Sequence, residues 1–268
     1  MKVDLTKYKT EEKYRARIAS LAAYLNKIGL SLIVRSRKLV HFLNAEMTDA
    51  EAERFIVNLP ALHRKIQEIL AAQRRDYSHL KYFYGQPYQG LALLGIFGER
   101  PTEERFDTYG LADLIGKDDT VLDIGCNCGF VGLIAAYRTG CRVVGVDINP
   151  HMVEIGRVCA DYLRLSDRVR LEAARIQDYK SDQPVSAVFS FATHWTDDGN
   201  YRVTIDEHMQ RIHGMLKPGG LLVFESHCAD VVNPVFHEKM ESIRSLFDHD
   251  GGRKIENGTR LVYIMRRK

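Results

Sequence analysis

The stretch "TVLDIGCNCGFVGL", Thr120 to Leu133, decides how the rest of the chain reads. A short strand-like run, Val121–Ile124, enters a turn containing Gly125, Asn127 and Gly129, and an apolar helix-like run starts at Phe130. A strand, a glycine turn and a helix in this order make a binding place for a nucleotide-like ligand, because the N–H groups of the helix start face the turn. A nicotinamide dinucleotide needs G-x-G-x-x-G, but here the second glycine position is Asn127 and the last is Phe130. A P-loop needs a Gly-Lys-Ser/Thr ending, which is absent from this stretch. Zinc needs about four ligands; Cys126 and Cys128 flank a single residue and no second cysteine pair follows, so no metal is expected.

Downstream of the turn, β-branched runs recur at Arg142–Val146, Val169–Leu171, Ala187–Phe191 and Leu221–Phe224, with helical segments between them. That alternation predicts a parallel sheet with helices on both faces. A last helix is expected near Pro234–Leu246, followed by two strands joined at Asn257-Gly258, a hairpin turn signal. Upstream, from Thr10 to about Arg75, the spacing is helical: Ile18, Leu21, Ala22, Leu25 and Ile28 recur every three or four residues. Thr48-Asp49-Ala50-Glu51 reads as a capping box, and Pro60 is expected to separate that helix from the next. A connector rich in Gly, Pro and Tyr follows, and from about Thr102 a helix leads into the sheet.

The pattern Asp123-x-Gly125-x-Asn127-x-Gly129 resembles motif I of the class I S-adenosylmethionine-dependent methyltransferases, usually acidic-x-Gly-x-Gly-x-Gly. Asn127 departs at the middle glycine, but Asn tolerates left-handed backbone angles better than other non-glycine residues. The resemblance continues in "VVGVDINP", which places Asp147 at a strand end 22 residues after Gly125, and in "MLKPGGLLVFE" before the fifth strand. It runs from about Phe106 to Lys268 and implies a Rossmann-like, doubly wound α/β fold. That fold has a seven-stranded sheet with a reversed C-terminal hairpin, here preceded by a helical N-terminal region. Residues 1–100 read as that helical region and connector, and 101–268 as the methyltransferase domain. The implied cofactor is S-adenosyl-L-methionine. Its expected contacts are Asp123, Gly125, Cys126, Asn127 and Gly129 around the turn, Asp147 on the ribose hydroxyls with Ile148 beside it, and Phe191. Arg105 and Tyr109, four apart on the leading helix, share a face, and Arg105 is a candidate for the cofactor's carboxylate. The family's acid after the third strand is replaced by Arg175, next to Ile176. Either the Ile176 backbone and apolar walls hold the adenine, or Asp178 replaces the acid.

Methyl transfer asks the protein to align the acceptor, exclude water and, for a hydroxyl acceptor, remove a proton. The fourth strand leads into "FATHW" and the fifth ends "FESH", which nominates His194, Glu225 and His227 as catalytic, with one histidine as base and Glu225 orienting it. Packing is the alternative role for His194, and Trp195 either walls the acceptor or covers the sheet edge. His208 and His213 read as surface or packing residues. The asparagine-proline signature of amino and amide acceptors is missing, so O-methylation of a hydroxyl on a sugar, glycoside or similar small molecule is the expected reaction. The form of motif I is also similar to that of tRNA wobble-uridine and RNA 5′-phosphate methyltransferases, so RNA is the second candidate acceptor. A non-catalytic cofactor-binding subunit is the third reading.

Composition sets the outer bounds. The 268 residues are 45% hydrophobic and 27% charged, with no apolar run of the roughly 20 residues a membrane span needs. No signal-peptide pattern opens the chain, and five irregularly spaced cysteines do not suggest a disulfide framework, so a cytoplasmic location is expected. The net charge of +3 is uneven: between Met1 and Asn44 ten basic residues oppose three acids. That segment is either a solvated helix face or a surface for an anionic partner such as RNA. The N-terminal helices are expected to supply acceptor contacts, a lid or a homodimer surface.

Overall fold

The β-branched runs form the centre of a sheet. Two short strands precede it, β1 (Gln89–Gly90) and β2 (Arg100–Pro101), which pair with each other in parallel. The main sheet holds β3 (Thr120–Ile124), β4 (Arg142–Asp147), β5 (Val169–Ala173), β6 (Val185–Phe191) and β7 (Leu216–Glu225). It is completed by β8 (Phe247–His249), β9 (Arg253–Ile255) and β10 (Arg260–Arg267). Its spatial order is β5-β4-β3-β6-β7-β10-β8. Strands β3 to β7 are parallel and β10 runs against β7. The reversed strand expected from the sequence is therefore present, but its hairpin partner is split. β9 pairs with Arg260–Val262, and β8 pairs with Met265–Arg267. This computed structural model describes residues 49–77, 87–96, 98, 100–181, 183–195, 202–255 and 258–268. The helical pattern from Thr10 to Asn44, Thr48 of the capping box and Asn257 of the hairpin turn lie outside the described residues.

Helices cover both faces, as the near-continuous apolar strands demand. They are α1 (Asp49–Asp76), α2 (Thr102–Thr108), α3 (Leu111–Leu114), α4 (Phe130–Thr139), α5 (Pro150–Tyr162), α6 (Ile205–Met215) and α7 (Pro234–Ser242). Local signals fix their starts. Asn149 caps α5 by accepting from the His151 and Met152 N–H groups, with Pro150 at the first helical position. Thr204 and Glu207 form a reciprocal capping box on α6. Successive strand residues serve opposite faces. Val121, Val143, Phe189 and Val223 join a core with α1, α4 and α5. Leu122, Val146, Val188 and Phe224 join a second core with Met209 and Ile212 of α6 and Phe236 and Met240 of α7.

One expectation about the N-terminal part fails. Pro60 does not separate two helices; α1 runs unbroken through it. An interior proline costs a helix about 3 kcal/mol. Leu59, Leu62, Ile66, Ile69 and Leu70 are all buried in the first core, and each such side chain contributes about 1.5–3 kcal/mol. Burial therefore outweighs the missing hydrogen bond. At the far side of the sheet β5 is an edge, and Arg157 of α5 reaches over it, donating from both Nε (3.0 Å) and Nη2 (2.7 Å) to the Leu171 carbonyl. No helix among the described residues is long and apolar enough to cross a membrane.

Candidate functional site

The strand order reverses at β3, whose neighbours β4 and β6 lead in opposite directions across the sheet. Ligands of doubly wound sheets bind beyond the carboxyl ends of the strands at such a point. A cavity of about 290 Å³ lies there, bounded by the ends of β3, β4, β6 and β7.

The turn after β3 is built to hold one shape. Gly125 and Cys126 N–H groups both donate to the Val146 carbonyl, at 2.9 and 3.1 Å, tying the turn to β4. Gly125 has φ +64, and a Cβ there would come within 2.5 Å of the Thr193 side chain. Asn127 takes the left-handed conformation expected of it, with φ +55. Its N–H donates to Asp147 Oδ2 at 2.7 Å, while Asn149 N–H donates to Asp147 Oδ1 at 2.9 Å. The Asp147 carboxylate is thus fixed on the cavity wall by two backbone groups. A carboxylate is an acceptor-only group, which suits it to the hydroxyl donors of a ribose.

Asp123 also lines the cavity, and its Oδ2 is buried without a hydrogen-bond partner. Burial raises its pKa, Arg105 draws it down and Asp147 raises it further, leaving it at about 7. A buried carboxyl of this kind suits an incoming ammonium, whose charge offsets the burial of the carboxylate. Ile148 and Ile176 supply apolar wall beyond the ends of β4 and β5, and Phe191 does so at the end of β6.

Not every expected contact reaches this cavity. Cys126 is fully buried against Gly145 behind the turn, and Gly129 packs on Leu171, because the turn presents its backbone to the cavity and its small residues to the core. Arg175 is exposed and 4.0 Å from Asp178, so neither side chain lies on the wall, whereas Ile176 does. Tyr109 is buried beneath the cavity with its hydroxyl on Glu225.

Glu225 is the centre of a cluster that the sequence did not reveal. Its Oε2 accepts from Arg105 Nη2 at 2.8 Å and from the Tyr109 hydroxyl. Its Oε1 accepts from Arg100 Nη2 at 3.1 Å and Arg260 Nη1 at 2.9 Å. Burial pushes the carboxyl up, but Arg105 and Arg100, with Tyr109 and Arg260, hold it below its ordinary value. Glu225 therefore stays ionised and committed to guanidinium groups, and it does not orient a histidine. Arg105, expected on the cofactor, is bonded to Glu225 with its guanidinium 5.0 Å from the Phe191 ring centre. Arg100 and Arg260 lie 125 and 35 residues from Glu225. Gln89, whose Oε1 caps α4 by accepting from Phe130 N–H at 3.1 Å, was missed as well.

His194 and His227 belong to the opposite face. His194 is 4% exposed, with Nε2 3.2 Å from Asp230 Oδ2 and its ring against Phe224, Phe236 and His208. His227 Nε2 is 3.0 Å from the Trp195 carbonyl, with the two rings stacked 4.1 Å apart. Burial, followed by His194, lowers the His227 pKa to about 4. Neither histidine, both expected as catalytic, is among the residues that line the cavity. His208, expected as a surface or packing residue, is fully buried with Nε2 2.9 Å from Ser190 Oγ, and burial lowers its pKa to about 3. Among the described residues, no three His, Cys, Asp or Glu side chains are placed to hold a metal ion.

A fold of this topology with this turn, this spaced acid and this cavity defines a class I methyltransferase-type domain. Residues 115–265 match a family model described as a methyltransferase domain, and the chain belongs to that family, the class I S-adenosylmethionine-dependent methyltransferases. S-adenosylmethionine is the cofactor that goes with it, and Asp123 and Asp147 fit its ammonium and ribose groups. The geranyl diphosphate 2-C-methyltransferase of Streptomyces ambofaciens is 30% identical over 114 residues, which are 42% of this chain and 38% of that protein. Methyltransferase GfsG of Streptomyces halstedii is 27% identical over 168 residues, 62% of this chain and 54% of that protein. The chain thus spans from about a third to about half of the length of these curated relatives. Among solved structures, the cyclase SpnF aligns with a TM-score of 0.51 at 15% identity, covering 62% of this chain and 80% of that one. That likeness concerns the fold alone.

Proposed function

We propose that this chain transfers a methyl group from S-adenosylmethionine to a small polar acceptor. The observation that supports this best is the cavity at the switch point, with Asp123 and Asp147 on one wall. When bound, the cofactor supplies an electrophilic methyl group on a sulfonium centre. The chain's part is placement: Asp147 for the ribose hydroxyls, Asp123 for the ammonium, Ile148 and Ile176 for the adenine faces. Phe191, Thr193 and Glu225 bound the remaining space, where an acceptor is held against the methyl carbon and water is kept out. Residues 1–100 are read as a region that completes the acceptor side of the 101–268 methyltransferase domain. Tyr88, Gln89 and Arg100 on the cavity wall support that reading.

O-methylation of a sugar or glycoside hydroxyl, the reaction read from the sequence, has less support than methyl transfer itself. Of its three expected catalytic residues only Glu225 lines the cavity, and that carboxylate is held by arginines. RNA as acceptor depends on the basic segment Met1–Asn44, which lies outside the described residues. Calorimetry with S-adenosylhomocysteine, followed by transfer of labelled methyl groups to panels of sugars, phosphorylated metabolites, lipids and RNA, tests the proposal. Binding with transfer to a small molecule supports it. Absence of cofactor binding, or transfer to RNA only, overturns it.

A further inference from the structure

A polar chain runs from the core between the sheet and α6 to the wall of the cavity. Ser190 follows Val188 in the strand alternation onto the face of the second core. His208 of α6 meets it there, with its ring against those of Phe224 and His194. Both residues are fully buried, and polar side chains in such a place cost stability unless they are hydrogen-bonded. Ser190 Oγ lies 2.9 Å from His208 Nε2 on one side and 2.9 Å from Thr193 Oγ1 on the other. The chain therefore does not end in the core: it continues to Thr193, which lines the cavity. Burial, reinforced by His194 and Arg211, keeps His208 neutral. The chain thus carries no charge, and it fixes positions rather than taking up a proton.

The backbone brings Thr193 to the same point. Ala192 N–H donates to the Glu225 carbonyl at 2.9 Å, and Ala192 takes φ +55, a left-handed conformation that a residue with a Cβ rarely adopts. Strain of this kind persists only where the surroundings over-determine it. The bend lays Thr193 over the turn after β3, so close that a Cβ on Gly125 would come within 2.5 Å of Thr193 Cγ2. A branched side chain has three staggered positions, and the bond to Ser190 selects the one with the hydroxyl toward the core and the methyl against Gly125. Gly125 itself lies between Asp123 and Asn127, whose N–H holds Asp147. In S-adenosylmethionine the sulfur joins the ribose to the amino-acid chain. With Asp147 on the ribose and Asp123 on the ammonium, the methyl group falls between them, where Gly125 and Thr193 line the cavity. We infer that Thr193 borders the transferred methyl group, and that Ser190 and His208 are positioning residues that hold its side chain clear of the space the methyl group needs. This rests on the methyltransferase reading and adds to it the residue that tells S-adenosylmethionine from S-adenosylhomocysteine.

The test uses the full chain and compares, by calorimetry, its affinities for S-adenosylmethionine and S-adenosylhomocysteine, which differ by that methyl group and its charge. Affinity for S-adenosylhomocysteine reports an intact cofactor site, and the ratio of the two reports the methyl position, which a merely structural role would not move. Thr193→Ile adds bulk on the same branched frame. It is expected to weaken S-adenosylmethionine by about tenfold or more and S-adenosylhomocysteine by less than about threefold. Thr193→Val and Ser190→Ala cut one bond from its two ends. Each should shift the ratio against S-adenosylmethionine by about threefold, and the double variant should go no further than either alone. His208→Leu should shift it in the same direction, whereas Thr193→Ser, which keeps the hydroxyl, should hold the wild-type ratio. If Thr193→Ile weakens both ligands alike, or neither, Thr193 does not border the methyl group and the inference is overturned. If Thr193→Val and Ser190→Ala leave the ratio unchanged, or their effects add, the positioning role is overturned. Should Ser190→Ala fail to fold, Thr193→Val against Thr193→Ser decides the same point. Failure of wild type to bind either ligand overturns the methyltransferase reading instead.

Discussion

Two carboxylates lie just five residues apart at the end of β7, and both are nearly buried: Glu225 at 1% exposure and Asp230 at 5%. They have opposite fates. Glu225 follows Leu221 and Val223 in the strand alternation, onto the face where α2 and the cavity lie, and gathers three arginines and a tyrosine. Asp230, past the strand end, belongs with Phe224 and the other face, and takes His194 and the His227 N–H. A polar residue at a strand end is therefore not in itself part of a site in this fold. The face it occupies decides whether it meets ligand or core.

Breaking the cavity-side cluster should have the largest effect. Glu225→Gln removes the charge that buried guanidiniums share, and should lower unfolding free energy by about 3–5 kcal/mol in urea titration. A loss under about 1 kcal/mol would show the cluster to be solvated and weak. Next comes Asp147→Ala, on the same side of the sheet but at the cofactor end. If Asp147 holds the ribose as proposed, the substitution should weaken S-adenosylhomocysteine by about 1.5–3 kcal/mol, roughly ten- to a hundredfold by calorimetry, and an unchanged dissociation constant would refute the ribose assignment.

On the opposite face, His194→Ala should reduce stability by about 1–3 kcal/mol, by leaving Asp230 without its buried partner, and should not alter cofactor affinity. A hundredfold drop in turnover with the fold intact would bring His194 back into the chemistry and erase the contrast. A smaller, graded effect follows from Asp123. Its pKa of about 7 lies above the ordinary 3.8, so its contribution to stability is complete below pH 3.8 and is lost as pH rises through 7. An ammonium ligand needs the ionised form. Cofactor affinity should thus fall by up to about 1.4 kcal/mol per pH unit below 7, and Asp123→Asn should flatten both profiles. The smallest effect is expected at Arg175, which is exposed outside the cavity. Arg175→Ala should change cofactor affinity by less than about 0.5 kcal/mol, and a larger loss would mean that the side chain swings over the adenine.

The turn after β3 and the place of Asp147 beside it could be read in advance because their determinants are local. Gly125, Asn127 and Gly129 encode a backbone shape, and Asp147 follows within a single strand-helix-strand unit, so spacing carries the geometry. The strands were equally legible, since five β-branched runs coincide with β3 to β7. The Glu225 cluster depends on distant parts of the chain. Arg100, Arg105 and Arg260 meet at Glu225 only after β10 has turned back beside β7, and no periodicity relates them. The face on which the histidines lie was hidden for a related reason. Alternation gives the face of a residue within a strand, but Ala192 takes φ +55 just past β6, and the chain that carries His194 leaves the strand direction there. Pro60 misled because helix-breaking is a local cost, and the burial that overrides it is tertiary.

The two bonds from Arg157 to the Leu171 carbonyl have a bearing on how molecules of this kind meet. β5 ends the parallel sheet, and an unguarded terminal strand invites a neighbour's strand to extend the ladder. Here an outward carbonyl is already taken by a charged donor, and Arg170 and Glu172 form a 2.8 Å ion pair along the same strand. Strand addition would have to displace the guanidinium from that carbonyl, which disfavours the pairing of two copies along this edge.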